Sequence, residues 1–438
     1  MKVVVVGAGL AGSMLAALLV ERGHEVEVVE QRTDPRTGAD RDRSINLGIS
    51  ARGIRALRRI GLWEALQPSL VPMRGRAVHL ADGRSLATPY GTGPSEVLHS
   101  VRRAELNERL VQRARGARFT FGVRCTGLAD GVLTLTDPGT GQTSQRRPDL
   151  VVGADGAFSA VRRLLQHGRP ADHRQQVLEW GYKELTVPPG ASIPLEALNV
   201  WPSAHGLVVA HPNPDGSHTG TLFLPHEGEP GFSSLDTPGA VLAFFREHLP
   251  RFAALVPDLA DQFLARPVGH LVTVRTAPWH AEGRVVLVGD AAHAIYPFYG
   301  QGMNASLEDC LVLDECLASH PEGAAGRAAA LAAFQQRRKP HTDVLAELSA
   351  QNFVELRDGT RSPLRLARSR ADHTLSRLFP RRWLPLYTMV SHTTIPYGDA
   401  LRRARRQDRA FAAAALTAST AVVGIGAAAL ASLRRERP

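Results

Sequence analysis

The chain has 438 residues, 44% apolar and 21% charged, with three cysteines and a formal net charge of +10. That balance excludes a disordered protein, a collagen and a disulfide-stapled scaffold, and length allows two or three domain-sized cores. The positive surplus is local: residues 361–409 hold twelve Arg against three Asp, so a nucleic-acid clamp spread over the whole chain is not expected.

Lys2 to Val6 is a short β-branched run and reads as a buried strand. Gly7 to Gly12 (GAGLAG) forms a glycine turn, a helical pattern follows to Gly23, and His24 to Arg32 alternates as a second strand. Met1 leads straight into the first strand, so no signal peptide is expected. Ser50 to Leu66 reads as one helix with Ser50 as its N-cap. Residues 73–102 read as short strands, and Arg102 to Arg115 as an amphipathic helix. Leu150 to Leu165 is an apolar strand, a Gly-Asp-Gly turn and a helix. Residues 178–276 alternate strand-like runs with turns around one helix near 238–249, the pattern of an inserted sheet-rich domain. Gly283 to Ile295 returns to a buried strand ending in Gly-Asp, and helices dominate from Gly302 onward. Cys125, Cys310 and Cys316 form no close pair and no metal-ligating spacing, which points to a reducing, cytoplasmic compartment and no metal.

Three glycine-rich turns carry the chemistry. In the first, Gly7, Gly9 and Gly12 permit a tight turn and close approach of a pyrophosphate to a helix N-terminus. Glu30 ends the next strand, where a carboxylate can accept from ribose hydroxyls. The second turn is Gly153-Ala154-Asp155-Gly156, and the third is Gly289-Asp290, followed by PFYGQGMN at 297–304. An aspartate at a strand end can accept from a ribityl hydroxyl, and a glycine turn into a helix offers N–H groups to a flavin carbonyl edge.

In this order the three turns resemble those of the FAD-dependent aromatic hydroxylases, the p-hydroxybenzoate hydroxylase-like monooxygenases. Strings outside the flavin motifs resemble the kynurenine 3-monooxygenase family in particular: RSINLGIS (43–50), VPMRGR (71–76), PYGT (89–92), GYKELTVP (181–188), GHLVTVRTAPWH (269–280), NFVELRD (352–358) and YTMVSHTTIPY (387–397). The likeness runs from about residue 2 to residue 408. It implies an α/β fold: a Rossmann-type FAD-binding domain (1–72, 100–177, 278–330), an inserted mixed β-sheet substrate domain (73–99, 178–277) and a C-terminal helical region (331–409).

The resemblance implies an activity in tryptophan breakdown. NADPH reduces FAD, reduced flavin and O2 form a C4a-hydroperoxide, and L-kynurenine is hydroxylated to 3-hydroxykynurenine. A relative acting on a substituted kynurenine or another aryl amine is the alternative. No protein base is expected, because the ring's own amine donates the electron density. Arg76, with Tyr90, Asn352 and Tyr387, falls on the residues expected to hold the substrate's polar end. A guanidinium suits a carboxylate, but Arg74 would share a strand face with Arg76. Pro297, Phe298, Tyr299 and Gln301 are expected to line the reaction chamber. For FAD the implied set is Gly7, Gly9, Ala11, Gly12, Glu30, Gln31, Arg32, Gly48, Arg102, Cys125, Asp155, Asp290, Met303 and Asn304, with Arg103 as the competitor of Arg102. His293 is read as structural. Ser203 stands where the family often has an arginine.

Ala410 to Leu433 is an uncharged, Ala-rich stretch flanked by arginines. As a helix it would span about 36 Å, so residues 410–433 are a candidate for weak membrane association, peripheral or tail-anchored. No nucleic-acid partner is expected.

Overall fold

The structure, a computed structural model, describes residues 1–37, 45–91, 93, 96–357, 372, 374–379 and 382–413. The first strand, Lys2–Val6, lies inside a six-stranded sheet. It pairs in parallel with Glu25–Glu30 on one side and Leu150–Gly153 on the other. Arg118–Phe121 extends the first side, and Val285–Leu287 the second. A parallel sheet covered on both faces needs continuous apolar strands, and Val3, Val4, Val5 and Val6 are all buried. The helix Leu10–Glu21 packs on this sheet and against the helix Gly302–Ser319.

A second sheet has seven strands in the order 269–277, 172–187, 218–225, 207–212, 197–202, 75–79, 85–89. All neighbours are antiparallel except 75–79 with 197–202. One face buries Leu185, Val208, Ala210 and Leu222 against Phe244, Phe245, Phe252 and Phe263 of three short helices. The other face looks toward the six-stranded sheet and forms one wall of a cleft. The chain therefore has the α/β architecture that its sequence implies, with the second sheet inserted between strands of the first.

Two local differences have simple causes. The helix expected over Ser50–Leu66 splits into Ala51–Arg59 and Trp63–Leu66, because Gly61 sits at φ +67° and ends the first piece. The insert carries three helices, Pro238–His248, Pro250–Ala253 and Leu259–Ala265, where the sequence pattern suggested one. Helices of four and seven residues leave little periodicity to read.

The C-terminal part is helical. Ala324–Arg357 packs on Gly302–Ser319, and Leu386–His392 and 397–413 close a small core with Ala305, Leu345, Met389 and Tyr397. Among the described residues, no helix is long and apolar enough to cross a membrane. The tail expectation falls mostly on 414–438, outside the described residues.

Candidate active site

A cleft of about 2530 Å³ runs between the two sheets. At one end stands the first glycine turn. Gly7 has φ +107°, and a Cβ there would lie 2.4 Å from the Ala154 carbonyl oxygen. A Cβ on Gly12 would meet the Gly7 oxygen at 1.9 Å. These two glycines are required by backbone packing. Gly9 differs: a Cβ there meets nothing within 4 Å, and the residue faces the cleft. Gly9 therefore leaves room for a ligand at the helix N-terminus.

Glu30 is buried, and its carboxylate accepts from the Ala8 N–H at 2.8 Å and the Arg32 N–H at 2.9 Å. Burial pushes its pKa up, but the Arg32 side chain and these N–H groups outweigh it and hold the group below the usual range. Gln31, Arg32 and Cys125 line the same end, and burial beside Asp155 pushes the Cys125 thiol up to about 12. Cys125 is thus an inert wall.

Asp290 lies on the cleft floor, deep in the protein yet open to the cleft. Burial raises its pKa, against the pull of His293 and Arg103. Ala11, Gly48 and Met303 line the cleft beside it. Asp155 also borders the cleft, but its carboxylate accepts from the Ala160 N–H at 2.7 Å and from the Ser159 hydroxyl. With the N-cap Ser159 it satisfies the first N–H groups of the helix Ala160–Gln166.

Other expected residues stand one layer back. Asn304 is fully buried; its Nδ2 donates to the Gly48 carbonyl at 2.9 Å, and its Oδ1 accepts from the Ser50 N–H at 2.9 Å. Gln301 is buried and accepts from the Ser50 hydroxyl at 3.2 Å, so it supports the chamber without lining it. Asn352 donates to the Phe298 carbonyl at 2.6 Å and is absent from the cleft wall. Arg102 does not line the cleft. Its guanidinium pairs with Asp215 at 2.7 Å and Asn213 at 3.2 Å, away from the cleft, whereas Arg103 lines it. The strand Leu98–Arg102 ends there and a helix begins, so the last strand residue and the first helical one point apart.

Pro297, Phe298 and Tyr299 line the far half of the cleft. Beyond them Arg76 is enclosed by rings: its guanidinium carbon lies 4.9 Å from the Tyr387 centroid and 5.8 Å from that of Tyr90. Arg76 Nε and the Tyr90 hydroxyl are buried without hydrogen-bond partners. No described carboxylate pairs with Arg76. Arg74 is exposed and bonds Glu196 at 2.8 Å, so the structure separates the two arginines that strand parity could not. His392 completes the aromatic enclosure, 5.8 Å from Tyr90 and 6.0 Å from Tyr387 between centroids. Ser203 closes a turn by bonding the backbone of Gly206.

Beneath this cleft lies a buried charge cluster. Asp309 accepts from Arg338 Nε at 2.6 Å and from the Gly289 N–H at 3.1 Å, and contacts His293 Nε2 at 2.5 Å. Arg338 also donates to Glu308 at 2.6 Å. His293 is thus a structural partner that fixes the third glycine turn. Sequence reasoning passed over Trp180, Tyr182, Val209, His211 and Phe223, which line the cleft from the second sheet. Their alternation along 172–187, 207–212 and 218–225 was the available signal.

Residues 1–205 and 259–349 match the FAD binding domain family. The chain is 53% identical over 447 residues to the kynurenine 3-monooxygenase of Salinispora arenicola (strain CNS-205), covering 99% of this chain and 98% of the relative. It is 38% identical over 415 residues to the kynurenine 3-monooxygenase of Dictyostelium discoideum, covering 91% and 89%. The fold is similar to that of 2-methyl-3-hydroxypyridine-5-carboxylic acid oxygenase, with a TM-score of 0.67 and 23% identity over 83% of this chain and 94% of the other. The open cradle at Gly9, the buffered Glu30 and the long cleft fit FAD, which is the cofactor of this fold. The chain belongs to the kynurenine 3-monooxygenase family of FAD-dependent aromatic hydroxylases.

Proposed function

We propose that this chain hydroxylates L-kynurenine at the ring carbon beside its amine, consuming NADPH and O2. The observation that carries this reading is Arg76: an enclosed cation, facing the cleft, with no carboxylate partner among the described residues. An uncompensated charge in such a place is costly unless a ligand supplies its partner. An α-amino acid supplies one. Tyr90 and Tyr387 flank the guanidinium and offer hydroxyls to the same carboxylate.

Bound FAD supplies the oxygen-activating redox chemistry. This chain's residues position and exclude. Gly7, Gly9, Ala11, Gly12 and Glu30 would hold the ADP half, with Gln31, Arg32 and Cys125 as its walls. Gly48, Asp290, Met303 and Arg103 would hold the riboflavin half, with Asn304 and Asp155 fixing the backbone around it. Pro297, Phe298 and Tyr299 shield the reaction chamber from water. Asn352 and Gln301 keep that segment in place. The arginine-flanked stretch 410–433 supports a weak membrane contact of an otherwise cytoplasmic enzyme, checked by vesicle co-sedimentation with and without 410–438.

The test is NADPH oxidation by FAD-loaded protein with and without L-kynurenine, with the product identified by mass and position. Stimulated oxidation and 3-hydroxykynurenine are expected. No stimulation contradicts the reading, and stimulation with hydrogen peroxide alone means that a related aryl amine is the substrate.

A further inference from the structure

Arg76 explains how the polar head of a substrate is held, but not how the ring is oriented. The second sheet gives the cleft a defined wall. Arg76 pairs with Leu198, and Asn199 with Ala210, which sets Leu198 beside His211. Residues paired across strands share a face, so Arg76, Leu198 and His211 form one row. All three line the cleft. Two strand spacings, about 10 Å, separate Arg76 from His211 along that row. The next row is Val78, Val200 and Val209, continued by Thr221.

His211 is therefore a polar group beside the three valines of that row, and the imidazole in the lining that lies in register with Arg76. Its Nδ1 is buried and has no hydrogen-bond partner. Burial alone pushes the imidazole down to about 4, so the ring is neutral near pH 7 and offers one donor and one acceptor. The segment that carries it is fixed. Asn46 Nδ2 donates to the adjacent Pro212 carbonyl at 3.3 Å and to Asn213 Oδ1 at 2.8 Å. Asn213 Nδ2 in turn donates to Ser217 and Thr219 hydroxyls at 3.0 and 3.2 Å. A neutral imidazole on a fixed strand of the cleft wall, with no partner for its Nδ1 among the described residues, is placed to pair with a ligand.

We infer that His211 is a substrate-positioning and specificity-determining residue that accepts a hydrogen bond from the arylamine N–H of the bound substrate. An arylamine delocalises its lone pair into the ring, so it is a good donor and a poor acceptor. The imidazole must accept. The bond orients the ring about the axis set by Arg76 and leaves electron density on the amine, which favours reaction at the carbon beside it. The inference rests on the proposed kynurenine reading.

The experiment titrates FAD-loaded enzyme with L-kynurenine and with its deamino analogue, 2-amino-4-oxo-4-phenylbutanoate, following flavin fluorescence. His211→Leu removes the acceptor at similar volume, and His211→Gln keeps one. The expected result is about tenfold weaker L-kynurenine binding in His211→Leu. The deamino analogue binds as in wild type, and His211→Gln recovers most of the loss. Equal weakening of both ligands, or no weakening of either, overturns the assignment while wild-type turnover of L-kynurenine leaves the functional reading standing. A wild type that neither binds nor turns over L-kynurenine overturns both.

Discussion

Two enclosed arginines show opposite designs. Arg338 lies in the helical layer and meets Asp309 and Glu308 at 2.6 Å each, with a third bond to the Ala305 carbonyl at 3.2 Å. Arg76 lies in the cleft wall and meets the rings and hydroxyls of Tyr90 and Tyr387, with no carboxylate among the described residues. Arg338 is satisfied by the chain itself and serves the fold. Arg76 is satisfied only by something that enters. A buried cation is thus informative for function when its counter-ion is absent, and for structure when it is present.

Breaking each arginine should separate the two roles. Arg338→Met leaves Asp309 and Glu308 buried without their cation and is expected to cost about 3–5 kcal/mol of stability, read by urea unfolding. Arg76→Met removes a charge that has tyrosine hydroxyls beside it but no described carboxylate. Its stability should be unchanged or higher, while L-kynurenine binding weakens by about 2–5 kcal/mol, read by titration. Arg76→Lys should recover only part, since an ammonium lacks the bidentate fork.

The same contrast runs through the first glycine turn. Gly12→Ala drives a Cβ into the Gly7 oxygen and should destabilise the fold by about 1–3 kcal/mol. Gly9→Ala meets no protein atom, so thermal stability without cofactor should hold while FAD affinity falls, read by flavin retention on dialysis.

The smallest effect is in pH dependence. Burial holds His211 and His392 near 4, below the ordinary value of 6.5. The unfolded chain therefore binds more protons between those values, and stability is full above 6.5 and lost as pH falls toward 4. His211→Leu should flatten this decline, as urea midpoints measured across that window would show. An unchanged slope would mean that His211 already titrates normally.

Legibility followed locality. The first turn and Glu30 span one short stretch, and backbone chemistry there leaves few alternatives, so the ADP end of the cleft could be read directly. The substrate end is assembled from residues 76, 90, 211 and 387, and only a family likeness brought three of them together. Arg74 and Arg76 were inseparable by parity; the strand break between Val71–Met73 and Gly75–His79 turns Arg74 outward. Arg102 and Arg103 are adjacent in sequence, and of the two it is Arg103, where the helix starts, that lines the cleft. Asn304, Gln301 and Asn352 lie near the expected places, but their amides are spent on protein groups, which no spacing rule reveals. His211 was invisible within the apolar string LVVAHP until the sheet register aligned it with Arg76.

The most direct test of the account is L-kynurenine affinity in Arg76→Met, measured on FAD-loaded protein beside wild type. A loss of about 30-fold or more with an unchanged unfolding midpoint is expected. Wild-type affinity in that variant, or a loss of stability that accounts for the weaker binding, would contradict it.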